Sequence, residues 1–458
     1  MTRTLSLWIT AGLALLVAAL PAPVPALGDD TPLVGVAAVD IAPQQPVRMY
    51  GYASRKTESV GIASRLRAKA LTLAETATGF QTVLLTVDCG AVPADVFEQV
   101  FARIAERVSI ARERFVLCNS HCHSGPDLKG RAALEGVERE HLEQYAQELA
   151  DKLVAVVLEA VAGQQPARLE WAQGTAPVAA NRRVLKDGKW SGFGAILDAP
   201  VDHSLPVLRV TDREGHLRAV VINYACHNTT LRGDFAQIHG DWAACAQQAI
   251  EQDHPGALAL ITIGCGADAD PHPHGTVQLC EQHGRTIADE VKRVLQGPFL
   301  PVRLPLTAQR TEWPFAFRPL PPLQELKSRA ANSFPLQHLV TRLETGDVKP
   351  KSVSYQVVTW SFGSDLALVF LADEVVVDYA LRMKRELDGK RLWITAYAND
   401  VSQYIVSDRL IGEGGYEVRN SLSALISSGE PETVQPSVET AIVERVRDLL
   451  PAAYRQTP

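Results

Sequence analysis

Arg114-Phe115-Val116-Leu117-Cys118-Asn119-Ser120-His121-Cys122-His123-Ser124-Gly125-Pro126 runs from an apolar stretch into two histidines and a Ser-Gly-Pro turn. A short apolar run stopped by a turn reads as a buried strand. If the chain is still extended beyond Asn119, imidazoles spaced i and i+2 lie on one face. One of them can then bind a metal while the other faces the group the metal acts on. Taken alone, a His-x-His pair is more often two satisfied loop histidines. The choice turns on whether other stretches repeat the layout.

They do. Ala219 to Cys226 is a strand pattern that ends in His227-Asn228-Thr229-Thr230, and Asp365 to Leu371 is another, followed by Ala372-Asp373-Glu374. Further strand patterns cover Leu33 to Ile41, Leu66 to Leu73, Thr82 to Val87, Ala257 to Ile263, Ser352 to Trp360 and Leu392 to Tyr397. Helical periodicity covers Ala94 to Val108, about Val137 to Val161, and Val375 to Leu387. Strands alternating with helices predict an α/β fold, a mixed or parallel sheet core with helices on both faces. Ligands in such folds bind beyond the C-terminal ends of strands. His121, His227 and Glu374 each stand there, and two histidines with a carboxylate are a zinc set that leaves room for water or substrate.

Blander readings stand beside these. Glu374 at a helix start is favourable without any metal. Asn181-Arg182-Arg183 reads as a solvated loop, although an arginine beside a metal can hold a substrate oxygen through its planar fork of donors. Asp241 suits a helix cap. Gly266 to Gly275 carries Asp268, Asp270, His272 and His274, which read as a pocket rim more than as direct ligands, because Pro271-His272-Pro273-His274 is too rigid to wrap a metal easily.

Met1 to Gly28 has a positive start at Arg3, an apolar stretch from Leu5 to Leu20 and a small-x-small end at Ala26-Leu27-Gly28. That is the pattern of a cleaved signal peptide, so an exported chain is expected, periplasmic or secreted. The 458 residues carry a net charge of -7 and seven cysteines. No basic footprint for nucleic acid is present. The cysteines sit in strand-like runs and read as buried small side chains more than a disulfide framework. No hydrophobic insertion or basic amphipathic helix for docking on a bilayer is evident, which leaves membrane contact open.

Several motifs together resemble the neutral ceramidase family (neutral/alkaline, non-lysosomal), zinc amidases that cleave N-acylsphingosine. His121-Cys122-His123-Ser124-Gly125-Pro126 matches the family's His-x-His-Ser-Gly-Pro, and Ala225-Cys226-His227-Asn228-Thr229 resembles its Ala-x-His-x-Thr segment. Asn181-Arg182, the Gly266 to Pro271 loop, Glu374 after a buried strand, Gln403-Tyr404-Ile405 and Tyr416-Glu417 follow in the family's order. The resemblance implies one zinc per chain, held by His121, His227, Glu374 and Tyr404. It implies that His123 and Arg182 face the amide carbonyl, that Tyr416 orients substrate, and that Asp268 lies on the substrate-binding loop. The implied partner is a lipid-like N-acyl amide. Two departures stand out: the chain stops at Pro458, without the family's C-terminal immunoglobulin-like domain, and the Gly-Asp loop reads Gly-Ala-Asp-Ala-Asp-Pro. Residues 29–458 are therefore expected to form one ceramidase-like catalytic domain. The alternatives are a zinc amidase or esterase for another substrate on the same site, and a non-catalytic binding protein with a structural zinc.

Overall fold

The strand Phe115–Asn119 forms as expected, with all five residues buried. Its neighbour Gln81–Val87 runs parallel to it, and Arg67–Ala74, Leu33–Asp40 and Gln165–Pro166 continue the sheet antiparallel. Apolar side chains on one face of this sheet pack against the helices Ala94–Ala105 and Gly136–Ala162. The first helix presents Val96, Phe97, Val100 and Ile104, the spacing of a single helical stripe.

The computed structural model describes residues 31–75, 79–317, 320–331, 333–344, 352–422, 426–427 and 437–455. The signal peptide expected over Met1 to Gly28 lies outside them. Among the described residues no helix is long and apolar enough to cross a membrane.

A mixed or parallel sheet core was expected; among the described residues three five-stranded sheets are found, with a three-stranded and a two-stranded one beside them. The second runs Leu258–Ile263, Leu217–Tyr224, Ser204–Thr211, Arg168–Thr175 and Leu300–Val302, and the third Leu392–Thr395, Leu366–Leu371, Ser352–Phe362, Leu306–Phe317 and Ile426–Ser427. Each five-stranded sheet is mostly antiparallel and ends in one parallel pair. A parallel pair needs a crossover to return the chain, and here each crossover contains a helix: Ala94–Ala105, Asp241–Asp253 and Val377–Glu386. That is why helices and strands alternate in the sequence although the sheets are not parallel throughout. Residues 179–186 form a strand, paired with Lys189–Ile196 and Ala269–Pro271, so the Asn181-Arg182-Arg183 loop reading is corrected.

The sheets are stitched together at the ends of their parallel strands. Asn119 donates both its backbone and its side-chain N–H to the carbonyl of Tyr397, and Leu117 N–H reaches Asn399 Oδ1 at 3.0 Å. Asn223 Nδ2 donates to Ile394 O at 2.9 Å. These bonds bring the loops after Asn119, Tyr224 and Leu371 to one place.

All seven cysteines are free thiols, and six are buried. This agrees with their reading as small core side chains.

Candidate metal centre and adjoining cavity

The loops that leave the parallel strands are bent in a costly way. His121, Asp373, Tyr397 and Asn399 have φ of 55°, 68°, 56° and 63°. Such left-handed conformations in residues with a Cβ cost on the order of 1–3 kcal/mol each and persist where the surroundings over-determine them. The chain is thus not extended at His121, as the shared-face expectation required. The bend itself turns the rings of His121 and His123 together, with their Nε2 atoms 3.2 Å apart.

His227 and Glu374 complete the cluster. Glu374 Oε2 lies 3.2 Å from His121 Nε2 and 3.2 Å from His227 Nε2. Tyr404 Oη is 3.4 Å from His227 Nε2. Glu374 belongs to the two-residue strand Glu374–Val375, paired parallel with Tyr404–Ile405, and the following helix starts only at Val377. Its carboxylate therefore serves the histidines and does not cap that helix. Asp268 caps it instead, accepting Val377 N–H at 2.8 Å.

His121 Nδ1 faces the carbonyl of Gly90 at 2.8 Å, and His227 Nδ1 faces that of Gly266 at 3.0 Å. A carbonyl can only accept, so both Nδ1 atoms carry the proton and both Nε2 lone pairs point inward. Burial holds His227 and His123 below the usual imidazole range, favouring neutral rings. Neutral acceptors crowded around a carboxylate call for a cation. The distances suit one: donors 2.0–2.1 Å from a tetrahedral zinc stand roughly 3.3–3.4 Å apart. The carbonyl bonds to Nδ1 are the outer contacts that orient histidine ligands. Glu374 Oε2 is a buried oxygen with no hydrogen-bond donor among the described residues, which agrees with a metal-ligating role. His121, His123 and His227 also satisfy the spacing of a three-histidine group. His123 differs from the other two, because its buried Nδ1 has no hydrogen-bond partner among the described residues.

Arg182 is buried and donates Nε to Glu417 at 2.9 Å, Nη1 to Asp270 at 3.2 Å and Nη2 to Tyr404 Oη at 3.1 Å. Arg183, beside it, bonds the other oxygen of Glu417 and reaches Glu413 Oε2 at 3.0 Å. His123, Arg182, Tyr404 and Tyr416 line a cavity of about 520 Å³. Tyr416 opens a short helix, Tyr416–Arg419, and its ring lies 5.7 Å from that of Tyr404. Asp268 does not reach the cavity: it is fully buried behind it, where Asn181 Nδ2 also meets it at 3.2 Å. Asp270, two residues on, lines the cavity in its place. Sequence reasoning missed Tyr50 and Tyr52, whose rings stand edge-on to His123 at 5.4 and 5.3 Å, and Phe193, which lines the cavity from the hairpin. The glycine-led Gly51-Tyr52 loop was the available signal. Gly51 has φ of 96°, and a Cβ there would lie 2.2 Å from His123 Nδ1.

Fold and site define a mixed α/β protein with a buried, metal-competent donor cluster beside a cavity of mixed polarity. Residues 33–264 match the family model described as neutral/alkaline non-lysosomal ceramidase, N-terminal, and the chain belongs to that family. A neutral ceramidase of Pseudomonas aeruginosa is 29% identical over 213 residues, covering 45% of this chain and 32% of that protein. Neutral ceramidase A of Dictyostelium discoideum is 26% identical over 246 residues, covering 52% and 34%. The alignments thus span about a third of the length of these relatives. The crystal structure of the neutral ceramidase from Pseudomonas aeruginosa matches with a TM-score of 0.71 at 20% identity, over 92% of this chain and 74% of that one. A ceramidase complexed with C2 matches at 0.70 and 19%, over 92% and 76%. The shared fold is therefore nearly complete on this chain's side.

Proposed function

We propose that the chain is an exported, zinc-dependent amide hydrolase that splits the N-acyl bond of ceramide or a ceramide-like lipid into a fatty acid and a sphingoid amine. The observation that carries this reading is the inward-facing pair of Nε2 atoms on His121 and His227, each ring tied by Nδ1 to a carbonyl, around the Glu374 carboxylate. His121, His227, Glu374 and Tyr404 would hold the ion. Bound there, zinc supplies a Lewis acid that polarises the amide carbonyl and makes water nucleophilic at neutral pH.

The chain's own groups do the rest. A guanidinium has five N–H donors. Arg182 commits three of them, to Glu417, Asp270 and Tyr404, which leaves one on each Nη for the carbonyl oxygen. Donors fixed in this way stabilise the charge that develops there. His123, neutral and on the cavity wall, can take a proton from the attacking water and pass it to the leaving nitrogen. A purely structural zinc would need neither residue. Variants His123→Ala and Arg182→Gln are expected to keep zinc and the fold while losing about 100-fold or more in turnover. Turnover of an N-acyl sphingoid amide at the parent rate by both variants would overturn these roles.

A further inference from the structure

Resting on the amide-hydrolase reading above, we infer that Arg232 forms an anion subsite in the cavity wall, and that the preferred amides carry an acidic group on their amine portion. Among the described residues that line the cavity, three bear formal charges: Arg182, Arg232 and Asp270. Asp270 leans toward Arg182, with Oδ1 3.2 Å from Arg182 Nη1 and also accepting Thr229 Oγ1 at 3.3 Å, while its Oδ2 stays 3.5 Å from Arg232 Nη1. One carboxylate thus faces two guanidiniums. Arg182 has Glu417 behind it as a second counter-charge, whereas among the described residues the ion pair of Arg232 is the loose contact to Asp270.

Arg232 is also positioned. Its Nε donates to His274 Nδ1 at 3.0 Å, and its carbonyl accepts Arg55 Nη2 at 3.0 Å. Burial and Arg232 itself hold His274 below the usual imidazole range, so this partner orients the guanidinium without neutralising it. About a third of the Arg232 side chain remains accessible, and the residue stands one carboxylate away from Arg182. An acidic group a few bonds from the amide nitrogen would meet that planar fork. The same cavity offers Phe193, Gly194 and Ala195 as an apolar stretch for the acyl chain. On a chain of net charge -7, an anionic substrate needs such a local cation to be drawn in.

The test pairs an N-acylglycine with the N-acylethanolamine of the same acyl length. Turnover is measured on the zinc-loaded parent and Arg232→Gln, and equilibrium binding on His123→Ala and on His123→Ala with Arg232→Gln. The parent should favour the carboxylate, and Arg232→Gln should lower the carboxylate-over-neutral ratio about tenfold in kcat/KM and in binding. Arg232→Lys should restore part of it. Equal or better handling of the neutral amide, or a ratio unmoved by Arg232→Gln, overturns the subsite while leaving amide hydrolysis intact. Binding preference retained with no turnover of either amide, nor of an N-acyl sphingoid amide, supports the subsite and overturns the hydrolase reading.

Discussion

Glu417 joins the stability of the fold to the geometry of the cavity, and its removal should be felt in both. It is fully buried, and its two oxygens hold Arg182 and Arg183, which are themselves 8% and 2% exposed at the side chain. Glu417→Ala leaves two buried guanidiniums short of a counter-charge. Breaking a buried pair by removing one partner costs about 3–5 kcal/mol. Arg183 keeps Glu413 and Arg182 keeps Asp270, so the lower end of that range is expected. Roughly 400 residues at about 2.1 cal/mol/K each give an unfolding entropy near 0.85 kcal/mol/K. A loss of about 3 kcal/mol then lowers Tm by roughly 4 °C. Arg182 also loses the bond that fixes its Nε, and misplacement of a positioning group costs on the order of 100-fold in rate. Calorimetry and turnover on Glu417→Ala and Glu417→Gln test this together. A Tm within 1 °C of the parent in both variants, with unchanged kcat, would refute the claim that the pair anchors Arg182.

Two further outcomes are expected. His227→Ala and Glu374→Ala should each lose zinc, and full occupancy by metal analysis in both would remove them from the ligand set. Asp268, pushed up to about 6 by burial, binds its proton more readily folded than unfolded. Its stabilising contribution is therefore present below the unfolded value near 3.9 and is lost as pH rises through about 6, roughly 3 kcal/mol in all. Asp268→Asn should lack this term, so its Tm relative to the parent should rise between pH 4 and pH 7, and a constant difference would contradict the assignment.

Much of the centre was legible because each donor follows a short, strongly apolar strand. His121, His227 and Glu374 are placed by local pattern alone, and all three meet. The sheet arrangement was not legible, since an apolar run does not say which strand it pairs with or in which direction. Arg183 looked solvated because its counter-charges, Glu413 and Glu417, lie 230 and 234 residues further along. Asp268 lies just before the strand Ala269–Pro271, whereas Asp270 lies within it opposite Ala180, and both Asp270 and Ala180 line the cavity. No reading of a single segment contains that register. The left-handed turn at His121 was hidden for a related reason: it is held by bonds from Asn119 and Leu117 to residues near 398.

The most direct measurement is product analysis of purified, metal-quantified protein incubated with an N-acyl sphingoid amide. Mass spectrometry should find fatty acid and free amine released in equal amounts, abolished by a chelator and restored by zinc. An intact amide after incubation with fully zinc-loaded protein, or release that continues undiminished once zinc is removed, would contradict the account.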